Sequence, residues 1–244
     1  MRQNLAFTEC LALVDERSAA LRAAVAGAAD LDVRVPTCPD WSLRDLVAHV
    51  GEVHRFWAAA VAAGPSAEPP ADELVGDVAP RGELLAWSAE STALLLTALR
   101  TVGPERGCWS WWGKSDAPLT AGAVARHQVQ EAAVHAYDAQ EAAGRPQPLP
   151  AAVALDGVPE FFTVSYGTAG PWPHEPARVA FHTTEGPHWS LDLTADQAGT
   201  PTTTVHAPAS DLLLTLHRRA PLDRLRIEGD RTLIERLLAW PSLD

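Results

Sequence analysis

Cysteine is scarce in this 244-residue chain, and the three present, Cys10, Cys38 and Cys108, are odd in number and widely spaced. That pattern argues against a disulfide framework and against a CxxC zinc knuckle. Lysine is almost missing: Lys114 is the only one, the remaining basic residues are arginine, and with alanine very abundant this fits a GC-rich coding sequence rather than a function. Nineteen basic residues stand against 31 acidic ones, a net charge of −12, and no dense basic cluster is available to neutralise phosphates. Nucleic acid is therefore a poor partner. No stretch approaches the roughly 18 uninterrupted apolar residues of a membrane span. The N-terminus lacks an apolar core followed by a cleavage site, so the expectation is a soluble, cytoplasmic protein. Internal repeats and low-complexity tracts are also missing.

What is present is an ordinary folded composition, 47% hydrophobic and 20% charged, in a chain long enough for one or two domains. Amphipathic periodicity predicts helices over residues 5–28, 43–63, 82–101 and 120–144, the third packed through Leu84, Leu85, Leu94, Leu95 and Leu99. Ser42 with Asp45 three residues on resembles a capping box, Thr120 is a good N-cap, and Gly144 with Pro146 is a good stop. The prolines of residues 30–40 predict a loop, and residues 64–80 read as an exposed connection. Four helices of this length make a bundle. Beyond Pro150 the texture changes. Residues 151–162 read as a further helix, residues 178–184, 189–193 and 202–206 as short strands, 208–217 as a helix, 225–230 as a strand and turn, and 231–240 as a terminal helix. The fold class expected is α+β in two parts: a four-helix bundle over residues 1–148 and a smaller α+β domain over residues 149–244.

Within the fourth helix, His127, Glu131, His135 and Asp138 fall along one stripe. Residues four apart on a helix differ by about 40° in direction, so Glu131 and His135 project side by side. His49, in the second turn of the second helix, could add a third ligand from across the bundle. Two nitrogens and one carboxylate leave positions open for water or substrate, as catalytic rather than structural zinc sites do. Zinc is the first choice by donor type, and iron, manganese or nickel also suit the set. A Glu-x-x-x-His pair is also a common solvated ion pair, and a lone histidine is commonly packed in a core. Ala132, Ala133, Val134 and Ala136 favour the metal reading, because an ionised Glu131 in so apolar a turn needs a partner. Asp138 either orients a ligand histidine or is an exposed helix carboxylate. His127 lines the site or lies on the surface. His54 lies about 140° around the helix from His49 and should point elsewhere.

Trp109, Trp111 and Trp112 stand just before the fourth helix and cannot all be buried on one face; they serve either core packing or as a hydrophobic wall over the metal. Cys108 has no activating neighbour that would make it a nucleophile.

Two segments, Cys38-Pro-Asp-Trp-Ser-Leu-Arg-Asp-Leu-Val-Ala-His49-Val-Gly and Glu131-Ala-Ala-Val-His135-Ala-Tyr-Asp138-Ala, resemble the signature segments of the mycothiol-dependent maleylpyruvate isomerase family. The tail, from Ala209-Ser-Asp to Arg218-Arg219 and through Leu225-Arg-Ile-Glu-Gly-Asp230, is similar to the C-terminal domain of that family. The resemblance implies a DinB-like four-helix bundle carrying a divalent metal, usually zinc, on His49, Glu131 and His135, with mycothiol as cosubstrate. It also implies a small electrophilic acid as substrate, for which Arg126, Arg218 and Arg219 are candidate partners. The reaction implied is cis-trans isomerisation or, where the adduct is not reversed, thiol S-transfer. A non-catalytic metal-containing binding or regulatory protein and a metal-dependent hydrolase are the alternative readings.

Overall fold

The computed structural model describes residues 5–76, 78–80, 82–193 and 202–242. The chain divides into two compact units, one formed by Met1–Gly113 with Pro118–Leu149, the other by Lys114–Ala117 with Pro150–Asp244.

In the first unit, α1 (Phe7–Ala26) buries Cys10, Leu11, Val14, Ser18, Leu21 and Val25, the three-to-four spacing of one helix face. The segment expected as a plain loop instead forms a small antiparallel hairpin, β1 (Arg34–Val35) with β2 (Cys38–Ser42), in which Arg34 faces Ser42. Val35 anchors it, wholly buried against Leu21, Val25, Leu43 and Leu46. Pro39 is tolerated because both strands of a two-stranded sheet are edges. The hairpin leads directly into α2 (Leu43–Ala63), where Ser42 Oγ accepts from the Asp45 amide and Asp45 Oδ2 accepts from the Ser42 amide at 2.9 Å. The Ser42 hydroxyl also donates to Asp45 Oδ2 at 2.6 Å, and this bond together with that from the Ser42 amide holds the Asp45 carboxyl below its ordinary pKa. A single-turn helix, α3 (Asp72–Val75), interrupts the expected bare connection.

Helix α4 (Leu84–Val102) buries Leu84, Trp87, Ser88, Ser91, Thr92, Leu95, Leu96 and Leu99. Leu94, expected among its core residues, is 42% exposed because the buried stripe passes through the small polar residues Ser88, Ser91 and Thr92 instead. Helix α5 (Ala121–Ala142) starts at Thr120, whose Oγ1 accepts from the Ala123 amide, and is followed by Gly144 at a positive φ of 72°. The four long helices close a ring, α1 on α5, α5 on α2, α2 on α4, and α4 on α1. Gly51 makes the α2–α4 contact possible, since a Cβ there would lie 2.0 Å from the Trp87 ring.

In the second unit, α6 (Ala151–Phe161) continues into a π turn at Phe162–Tyr166 and packs on α7 (Ala209–Leu216). A four-stranded sheet has the order β4-β3-β5-β6, from β3 (Arg178–Thr183), β4 (His188–Asp192), β5 (Thr203–Ala207) and β6 (Arg226–Gly229). Strands β3 and β5 run parallel and the other pairs antiparallel. Helix α8 (Arg231–Ala239) follows, capped by Asp230 Oδ1, which accepts from the Thr232 amide at 2.8 Å. A helical N-terminal part and a smaller sheet-containing C-terminal part are the α+β class expected. Among the described residues no helix is long and apolar enough to cross a membrane.

Candidate metal centre

Helix α2 presents His49 and helix α5 presents Glu131 and His135 toward one point, with one donor atom from each lying within 4.8 Å of the others. Glu131 Oε1 lies 3.2 Å from His49 Nε2 and 3.3 Å from His135 Nε2. On the far side of the His135 ring, Nδ1 donates to Asp138 Oδ2 at 2.9 Å. Asp138 is wholly buried, so the exposed-carboxylate alternative does not hold. Its other oxygen accepts from Thr37 Oγ1 at 2.7 Å, and the Cys38 thiol stands 4.0 Å from Oδ2. The chain of contacts Thr37, Asp138, His135 sets both the tautomer and the direction of the ring, which is how the outer partners of metal-binding histidines act.

Burial alone would raise the pKa of Glu131, but the charge of His135 and hydrogen bonds from His135 and His49 reverse that, leaving its carboxyl well below the ordinary range. Burial likewise works to lower the pKa of His135; Glu131 and Asp138 overcome it and push the imidazole up to about 9. Without a cation the site is thus held together by an imidazolium between two carboxylates. Two imidazole nitrogens and a carboxylate oxygen converging in this way fit a borderline divalent ion such as Zn²⁺. The side chains of His49 and Glu131 are 32% and 21% exposed, so the site opens toward solvent on that side.

The aromatic wall beside these ligands is Trp41, a residue that sequence reasoning did not single out. Its ring centroid lies 4.5 Å from that of His49 and 6.1 Å from that of His135. Thr37 lies in the segment expected as a loop, and Trp41 just beyond it, within the first segment that resembles the family signature; the hairpin carries both.

Of the tryptophans expected as a pocket wall, Trp112 is wholly buried and donates its indole N–H to the Pro118 carbonyl, which makes it a core anchor. Trp109 packs against Phe56 and Trp57, and Trp111 is 46% exposed with its ring edge-on to Trp112. His127 packs on Trp111 and Trp112, not among the ligands. His54 is wholly buried, 3.3 Å from Thr92 Oγ1, and burial pushes its imidazole down to about 4. Cys108 is buried, and burial raises its thiol pKa, the opposite of what a nucleophile needs.

Arg126 lies on α5. Arg218, at a positive φ of 59°, donates Nε to the Leu238 carbonyl and Nη2 to the Pro241 carbonyl. Arg219 Nη1 donates to the His217 carbonyl at 2.9 Å.

Residues 11–140 match the family model described as the mycothiol maleylpyruvate isomerase N-terminal domain, and residues 152–236 match the C-terminal domain of the same family. A crystal structure of a mycothiol-dependent maleylpyruvate isomerase superposes with a TM-score of 0.63 at 14% identity, covering 93% of this chain and 95% of that one. A histidine-to-alanine mutant of such an enzyme gives 0.62 at 13% identity with the same coverage. At that identity the likeness is one of fold. No curated protein matches the sequence. The two domain matches, in order and spanning most of the chain, carry the assignment: this protein belongs to the mycothiol maleylpyruvate isomerase family.

Proposed function

We propose that the chain is a metal-dependent enzyme that uses a low-molecular-weight thiol, mycothiol, either to isomerise a small electrophilic unsaturated acid from cis to trans or to transfer the thiol sulfur to it. The observation that supports it best is the convergence of His49, Glu131 and His135 with Asp138 behind His135. A divalent ion held by these three residues supplies the positive charge that favours thiolate over thiol at neutral pH. Asp138 keeps the proton of His135 on Nδ1, so that Nε2 offers its lone pair. Trp41 shields the His49 side from water and gives the carbon skeleton of a small acid an apolar surface.

Addition of the thiolate sulfur to a conjugated cis double bond leaves a single bond that rotates, and elimination returns the trans isomer with the thiol restored. Retention of the sulfur gives the transferase outcome. Arg126, on the helix that carries Glu131 and His135, is one candidate partner of the substrate carboxylate. Replacing Arg126 by Ala is then expected to raise KM more than it lowers kcat.

The decisive assay incubates the zinc-loaded protein with mycothiol and a panel of cis-unsaturated acids. Product or thiol adduct should form, and His49→Ala should abolish it. Neither adduct nor product would favour a binding protein, and turnover without thiol would favour a hydrolase.

A further inference from the structure

Three histidines stand side by side across the sheet of the second unit. His182 on β3 is the register partner of His188 on β4 and of His206 on β5, and His206 is in turn the partner of Arg226 on β6. Strand alternation puts them on the face opposite the buried Val179, Phe181 and Val205. His182 and His188 are exposed, and the His206 side chain is 36% exposed. The rings of His182 and His206 are stacked with centroids 5.2 Å apart and planes 25° from parallel; those of His182 and His188 are 5.6 Å apart at 16°. On the β6 side of His206, Glu228 Oε2 lies 3.7 Å from Nε2. Glu228 is also paired with Arg226 on its own strand.

We propose that this row is a second divalent transition-metal site, with His182 and His206 supplying two nitrogens and Glu228 a carboxylate oxygen. Two metal–nitrogen bonds of roughly 2.0–2.1 Å place the nitrogens about 3–3.5 Å apart, a distance that exposed side chains on paired positions of adjacent strands reach by rotation about χ1 and χ2. The carboxylate selects the His206 side of His182 over the His188 side. Imidazole nitrogens favour Zn²⁺, Ni²⁺ or Cu²⁺ over Mg²⁺ or Ca²⁺, which take oxygen ligands. Arg226 is 74% exposed in its pair with Glu228, so water can replace Glu228 as its partner when an ion enters.

Equilibrium dialysis of the full chain against Ni²⁺, with Mg²⁺ as control, tests the site. His182→Asn and His206→Asn should each bind one Ni²⁺ fewer than the unsubstituted protein, or bind that ion roughly tenfold or more weakly. His188→Asn should leave uptake unchanged, as should the presence of Mg²⁺. Because the readout is a difference, loss of the α2–α5 site alters the total and not the effect of these substitutions. His135→Ala should accordingly retain the sheet-bound ion. Equal Ni²⁺ uptake by the unsubstituted protein and His182→Asn, with circular dichroism showing both folded, would overturn the proposal. Loss on His188→Asn but not on His206→Asn would overturn it equally.

Discussion

His135 donates from both ring nitrogens, to Glu131 on one side and to Asp138 on the other, and that arrangement fixes how the centre responds to pH. Its pKa of about 9 lies above the ordinary imidazole value of 6.5, so the stability it contributes to the metal-free protein is complete below 6.5 and is lost as pH rises through 9. Metal binding must expel the same proton. Zinc affinity is therefore expected to rise about tenfold per pH unit from neutrality toward 9, with a proton released on binding; calorimetry in buffers of different ionisation enthalpy measures both. A flat affinity over that range would mean that His135 is not a ligand. Asp138→Asn should weaken zinc binding by roughly 10- to 100-fold, read by competition with a chromophoric chelator. The Glu131–His135 pair was legible from its four-residue spacing. Whether Asp138 was buried was not, because burial comes from α1, α2 and the hairpin closing around α5, none of which is local to that segment.

Periodicity and caps predict the helices, and the Ser42–Asp45 box and the Thr120 cap are both formed. Ser42→Ala is expected to cost about 0.5–2 kcal/mol, visible as a lower urea midpoint with an unchanged slope. The phase of α4 was less legible. Leucine content pointed to Leu94, while Ser88, Ser91 and Thr92 occupy the buried stripe by hydrogen-bonding locally, Ser91 Oγ to the Trp87 carbonyl and Thr92 Oγ1 to the Ser88 carbonyl. Gly51 shows the same limit. Nothing near it in the chain calls for glycine, yet the Trp87 ring fills the space that a side chain would take. Gly51→Ala should destabilise the protein by about 1–3 kcal/mol in chemical denaturation. Zinc affinity should fall with it, since His49 lies two residues away on the same helix.

Across the whole molecule, candidate ligands contributed by two helices would tie metal affinity to folding, because the unfolded chain does not hold His49 near Glu131 and His135. At free zinc about a hundredfold above Kd, the folded protein should gain roughly 2.7 kcal/mol, seen as a higher Tm that EDTA reverses. His49→Ala should abolish the zinc response. The two-part α+β architecture was visible in the chain because period, caps and turn residues act over a few neighbours, and those neighbours are adjacent in sequence. The same holds for the Glu131–His135 pair. Long-range packing decided the rest: that His49 meets them, that Trp41 and Thr37 reach the site on a hairpin, that Trp112 is core, and that His206 joins His182 and His188 in one row. Each of these depends on register and packing between segments far apart in the chain, which no local pattern of residues encodes.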